Sequence, residues 1–392
     1  MTSKTRLILL LGALASLGPL SIDMYLPSFP DIASDLHTTS ARVSGTVASF
    51  FVGLCLGQLV YGPLSDRIGR KRPLLAGILI YLAGSLGCFL APDIDALTAA
   101  RFLQALGACA GIVIGRAIVR DHFEPAECSR VFSLIMLTLG VSPILAPVAG
   151  QFLADLSGWR GIFGVMVLFG SLVWAAVYRF IPADPPGDSE LPTRPLLERF
   201  ASVLNDPNFL TYTLAGTLIQ AGLYAYISGS SHLFMGQLGL SPKAFSLLFG
   251  VNAAGLILAS QVNSRLLQRY HYRTILERAL QVACGASVLL GLMALLHWHT
   301  LAVTLPLALF LATLGLVFPN STAGALERQG HQAGTASALI GCIQYGGAAV
   351  SSSIVAALHP YTDAPMQLTI AGCGILSLVA FRTLSRRLAP HE

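Results

Sequence analysis

Long apolar runs separated by short polar turns fill the chain from Arg6 to Leu384. A helix needs about 20 apolar residues to cross a bilayer. Runs of that length fall near 6–27, 43–63, 74–91, 97–119, 130–153, 161–181, 209–231, 244–264, 275–296, 301–323, 334–358 and 365–384. The pattern predicts an all-α membrane protein with twelve transmembrane helices, and an even number puts both termini on one side. The first run follows Lys4 and Arg6 and contains Ala13 and Ala15, the ingredients of a cleavable leader. It continues to Leu26 with many spans behind it, and so reads better as a first membrane helix.

The longest polar stretch, Pro182 to Asn208, is rich in Pro, Asp and Glu and falls between the sixth and seventh runs. It divides the chain into an N-terminal six-helix bundle (1–181), a linker (182–208) and a C-terminal six-helix bundle (209–392). The halves echo one another. GPLSDRIGRKRPLL from Gly62 has a short, basic counterpart 201 residues later in NSRLLQRYHYRTILE from Asn263. Two related six-helix bundles are the transporter arrangement in which a midplane site opens alternately to each side.

Composition agrees. The 392 residues are 54% hydrophobic and 11% charged, against roughly 25% charged in soluble domains. The net charge of +5 describes topology rather than a nucleic-acid partner. Of 24 Lys and Arg, twenty lie on alternate connections and the termini, while Arg42, Arg160 and Lys243 lie opposite. The remaining one, Arg101, falls inside a span. Positive charge accumulates on the cytoplasmic side, so both termini are expected there. Seven cysteines form no CxxC pair and are read as packing residues, without metal or disulfide. No GxxxxGK[ST] occurs, so energy must come from a gradient or from the solute. The spans hold no nucleophile–base pair, and His271, His297 and His299 sit at helix ends, which makes a membrane enzyme the weakest of three readings.

Several motifs carry chemistry. In the turn after span two, Asp66, Arg67, Gly69 and Arg70 place an acid among bases, with glycine allowing a sharp turn. Asp66 can form a latch that breaks when helices shift, with Asp121 at the end of span four as partner. Span five reads LGVSPILAPVAG, with Gly140, Pro143, Pro147 and Gly150 supplying kinks and small packing surfaces. Span four carries Arg101 and Gln104 one turn apart, beside a ridge of Gly107, Gly111 and Gly115.

The turn resembles the signature loop of the major facilitator superfamily, which implies a charge network on Asp66, Arg67 and Arg70 that stabilises one conformation. Span five is similar to the antiporter motif of the drug:proton branch, departing from it at Ala146. RFLQALG from Arg101 resembles the family's intramembrane arginine motif, implicated in proton coupling. With SIDMYLPSFPDI at the end of span one and HQAGTASALIG leading into span eleven, the chain resembles the Bcr/CflA drug-resistance transporters over almost its whole length. The implied activity is proton-driven export of small drugs such as bicyclomycin, chloramphenicol-like compounds or sulfonamides across a bacterial inner membrane. Nucleosides, sugars or cysteine-like metabolites are the alternative cargo. The implied partners are a small-molecule substrate, protons and membrane lipid, with the proton as coupling ion, no other cofactor and a monomeric state.

Elimination singles out the proton carrier. Of 19 acidic residues, 18 fall in loops, termini or helix ends, and Asp23 alone lies within a span. Intramembrane ionisable residues are functional candidates by default. Asp23 and Arg101 each sit about four residues from the outer end of a span, roughly 6 Å deep at 1.5 Å per residue. Pairing them is the expected arrangement, either as a proton-coupling couple or as a fixed structural ion pair. Tyr25, Gln58, Gln104, Gln220, Tyr224, Asn252, Asn320, Gln344 and Tyr345 are the polar or amphipathic candidates for a substrate cavity, though each alone is more often a helix–helix hydrogen bond.

Overall fold

A computed structural model describes residues 3–123, 125–181, 196–296, 301–329, 333–359 and 361–386. Most of the expected linker (182–195) and His331 and Gln332 of the HQAGTASALIG stretch lie outside these. Thirteen α-helices account for nearly everything described, and no strand occurs among the described residues. They are α1 (Ser3–Asp23), α2 (Phe29–Asp35), α3 (Ser40–Ile68), α4 (Lys71–Leu90), α5 (Ile94–His122), α6 (Pro125–Phe180), α7 (Leu196–Leu204), α8 (Pro207–Ser231), α9 (Pro242–Leu266), α10 (Tyr272–Leu295), α11 (Thr304–Leu326), α12 (Ala333–Leu358) and α13 (Pro365–Ser385).

Ten stretches are long and apolar enough to cross a membrane by length and composition. Two further spans come from α6 and α8. In α6 the fifth and sixth spans run together across Gly158, whose φ of 71° breaks the helix. The sequence separates these runs by a seven-residue polar turn; the backbone needs only the one non-helical residue. α8 is more polar, with Thr, Ser, Tyr and Gly throughout, yet 19 of its 25 residues are buried. Enclosure by other helices keeps its polar side chains out of lipid: Thr211 donates to the Pro207 carbonyl at 2.7 Å, while the Thr213, Thr217 and Ser230 hydroxyls are buried without a partner among the described residues.

The chain divides into two compact units. One holds Met1–Leu191 with Pro242–Gly250, the other Pro192–Ser241 with Val251–Glu392. In the first, α5 packs against α3 and α4, and α1 packs against α5 and α6. In the second, α8 packs against α11, α12 and α13, and α10 against α11 and α13. α7, a short amphipathic helix, lies in what the sequence reads as linker and packs on α12.

The first span ends earlier than its apolar run. α1 stops at Asp23, a 3₁₀ turn follows at Leu26–Ser28, and α2 begins at Phe29. A proline ring inside a helix clashes with the carbonyl four residues before it. For Pro27 that residue is Asp23, so the helix terminates at the acid.

Candidate functional site

Arg101 is the largest fully buried side chain, with no exposed surface. Its guanidinium carbon lies 4.7 Å from the Tyr25 ring centroid, 4.4 Å from Phe50 and 5.8 Å from Phe163. These rings come from the segment after α1, from α3 and from α6. Nη1 donates to the Ser21 carbonyl at 2.8 Å and to Gln104 Oε1 at 2.6 Å. Gln104 Nε2 donates in turn to Ser85 Oγ at 2.9 Å, and Ser21 Oγ lies 3.0 Å from Tyr81 OH. Tyr25 is held by its own hydroxyl, 2.8 Å from Thr46 Oγ1. Cation–π attraction strengthens when the cation is desolvated, so the cage replaces part of the lost hydration. Nε and Nη2 have no hydrogen-bond partner among the described residues.

The expected Asp23–Arg101 ion pair is absent. Arg101 reaches α1 at Ser21 instead, two residues before the acid. The bond goes to the backbone of α1, and the Asp23 side chain is not engaged. Asp23 is 4% exposed, and among the described residues its carboxylate makes no ion pair or hydrogen bond.

α6 runs against this segment. A Cβ added to Gly150 would stand 2.0 Å from the Met24 carbonyl oxygen, one residue beyond Asp23. Glycine is required there by the close approach of the two backbones. Pro143 is half-buried and Pro147 buried on the same helix. The side chains of 132–141 lie outside the described residues, so Gly140 is placed only as a position on α6.

At the arginine-rich end of this unit, Gly69 closes α3 with a φ of 85°, in the left-handed region that favours glycine. Arg70 bridges two acids: it pairs with Asp66 one turn earlier, and its Nε donates to Asp121 Oδ2 at 2.8 Å. Nη1 also donates to Ser65 Oγ at 3.0 Å. Arg67 is exposed and makes no such bond among the described residues, so the network runs through Arg70 alone of the two arginines.

The second unit holds a counterpart that the sequence comparison missed. Tyr272, at the start of α10, donates its hydroxyl to Glu327 Oε2 at 2.8 Å, just past α11. Tyr272 follows Arg70 by 202 positions and Glu327 follows Asp121 by 206. A phenol stands where the first unit has the arginine, and the two offsets differ from each other and from the 201-residue spacing of the turns, so neither charge nor spacing in the sequence pointed to it.

The remaining cavity candidates divide. Asn320 Nδ2 donates to Asn263 Oδ1 at 2.7 Å and Asn252 Nδ2 to Tyr226 OH at 3.2 Å, both tying helices together. Gln220 Nε2 donates to Tyr224 OH at 3.2 Å, and Tyr224 lies 6.4 Å from Tyr345. Gln220 Oε1 is buried without a partner among the described residues. Gln344 is half-buried, and Gln58 is buried within α3.

The Major Facilitator Superfamily profile matches residues 11–352. The chain belongs to the major facilitator superfamily. The YdgK transporter of Bacillus subtilis is 37% identical across 98% of this chain and 97% of its own. The bicyclomycin resistance protein homolog of Haemophilus influenzae is 33% identical across 97% and 96%. Such relatives place this superfamily member in the Bcr/CflA branch. A solved bacterial homologue of the lysosomal transporter Spinster superposes with a TM-score of 0.75 over 98% of the chain at 14% identity, which shows the shared fold. The superfamily's two six-helix bundles are thus the architecture here, and its members are transporters rather than enzymes.

Proposed function

We propose that this transporter exports small, largely apolar drugs in exchange for protons, and that Asp23 carries the proton. One observation supports this most: the acid that ends α1 is 4% exposed, and Arg101 does not pair with it. A buried carboxylate without a partner is costly, and taking up a proton relieves that cost. Nothing so placed serves as a structural ion pair. The acid also sits where Pro27 ends α1 and Gly150 brings α6 onto the backbone, so a shift of α6 alters its surroundings directly.

Arg101 then acts as a positioning residue. It fixes the end of α1 through the Ser21 carbonyl and orders Tyr25 beneath its guanidinium. Arg70 joins the end of α3 to the end of α5, a contact that must break if those helices part. Gln220, Tyr224 and Tyr345, neutral and partly aromatic, are proposed to meet the solute. The arginine distribution supports cytoplasmic termini, and the protein is proposed to work as a monomer in a bacterial inner membrane.

One proton suffices energetically. A potential of about 100 mV contributes about 2.3 kcal/mol per charge, and one pH unit about 1.4 kcal/mol. Their sum holds a gradient of several hundred-fold for a neutral solute. The test is a susceptibility screen of cells overproducing the protein, beside an uptake panel of nucleosides, sugars and amino acids. Protection against bicyclomycin- or chloramphenicol-like compounds that disappears in Asp23→Asn is the expected result. Accumulation of a nutrient, without drug protection, would instead establish the metabolite reading.

A further inference from the structure

Within the second unit, α9, α10 and α11 leave a groove of about 540 Å³ lined by Leu266, Tyr270, Arg278, Val282, Leu309 and Leu316 among others. That is within the range of roughly 300–1,000 Å³ that holds small ligands. Its walls are open: Tyr270 is 55% exposed, Val282 46% and Leu309 50%. The lining is apolar along most of its length. Thr313, a buried hydroxyl of the lining, already donates to the Phe310 carbonyl at 2.6 Å and offers no proton to a ligand.

Polarity gathers at one end. Arg278 lies six residues into α10, about 9 Å from the helix start at 1.5 Å per residue. Tyr270 and Thr274 stand at the mouth beside it. Arg269 and Arg273 flank the same turn; of the nearby acids, Glu327 is engaged by the Tyr272 hydroxyl and Glu277 occupies the neighbouring position on the helix, which does not face Arg278. At the other end, Leu309 lies seventeen residues before the end of α11, about 25 Å in. One leaflet is about half of a hydrocarbon core of about 30 Å, so the groove runs from headgroup level past the depth of one acyl chain.

We infer that this groove is a binding site for an anionic phospholipid, its acyl chain along Val282, Leu309 and Leu316 and its phosphate at Arg278. A slot that is apolar at depth and cationic at its mouth matches that amphiphile. The guanidinium's own partner is neutral, Gln281 Oε1 at 3.3 Å, so a neutral drug would leave its charge uncompensated, and a free phosphate would leave the apolar wall unused. Basic sites between spans on the arginine-rich side have this preference in general. The inference depends on the groove facing lipid and not on which solute is carried.

The test titrates the purified full chain in detergent with phosphatidylglycerol and with phosphatidylcholine, counting bound lipid by native mass spectrometry. Phosphatidylglycerol is expected to be retained preferentially. Arg278→Gln should weaken it about tenfold, the scale of one strong charge-assisted contact. Val282→Phe, which fills the wall but keeps every charge, should also weaken it. Arg265→Gln, a nearby surface change, should not, and unchanged thermal unfolding shows that each variant is folded. Equal retention of both lipids, or an equal loss in Arg265→Gln, would mean annular lipid held by bulk charge and would overturn the inference.

Discussion

Arg101 answers the bilayer with three aromatic faces, one backbone carbonyl and one glutamine rather than with a carboxylate. Lysine cannot reproduce that arrangement, because a compact ammonium lacks the planar fork. Arg101→Lys is therefore expected to lower stability by about 2–3 kcal/mol, the scale of hydrogen bonds from a buried charge, read as a lower unfolding temperature in detergent. Tyr25→Phe keeps the ring over the guanidinium and loses only the bond to Thr46, so it should cost about 1 kcal/mol. If Tyr25→Phe proved as damaging as Arg101→Lys, the hydroxyl and not the ring would be what the cage needs. The sequence revealed both charged residues and placed them toward the same ends of neighbouring spans. It could not reveal the facing of side chains around each helix, which packing decides. For that reason the Asp23–Arg101 pair was expected and the cage was not.

Among elements, α6 ties the kinked fifth span to the end of α1. Gly150→Ala would place a methyl 2.0 Å from the Met24 carbonyl oxygen. Overpacking of this kind costs about 1–3 kcal/mol, and here it would push α6 away from the Asp23 segment. Transport is expected to fall more than protein abundance does, compared by flux and by immunoblot on the same membranes. The Arg70 network gives a second expectation. Asp66 and Asp121 are largely exposed, so Asp121→Asn should change stability by no more than about 1 kcal/mol. Its transport should still drop, and the exchanged pair Arg70→Asp with Asp121→Arg should recover part of it. No recovery would show that the local turn, and not the contact between α3 and α5, is what matters. Elements missed from the sequence share a cause. α2, α7 and the π-helical turn His232–Gln237 are too short or too polar for a signal built on about 20 apolar residues, and α8 reads weakly because its polar face is buried in protein.

For the whole molecule, twelve spans in two bundles were legible because lipid demands long apolar helices and tolerates little else. Where the 24 basic residues fall predicts cytoplasmic termini. On a cysteine-free background, single cysteines at Arg269 and Arg386 are expected to react only with reagent supplied from the cytoplasm, and one at Asp93 only from outside. Labelling in the opposite sense would reverse the assignment. The substrate was not legible, because the neutral residues nominated for a cavity have the same chemistry whether they bind solute or tie helices, as Asn320 and Asn263 show.

Asp23 is proposed to carry the coupling proton. The decisive measurement uses proteoliposomes and the compound chosen by the susceptibility screen, comparing flux driven by an imposed pH gradient with gradient-free exchange of labelled for unlabelled compound. Asp23→Asn is expected to retain the exchange, which needs only a folded protein that alternates, and to lose the gradient-driven accumulation entirely. Accumulation at the wild-type level in Asp23→Asn would contradict the central claim and move the proton elsewhere.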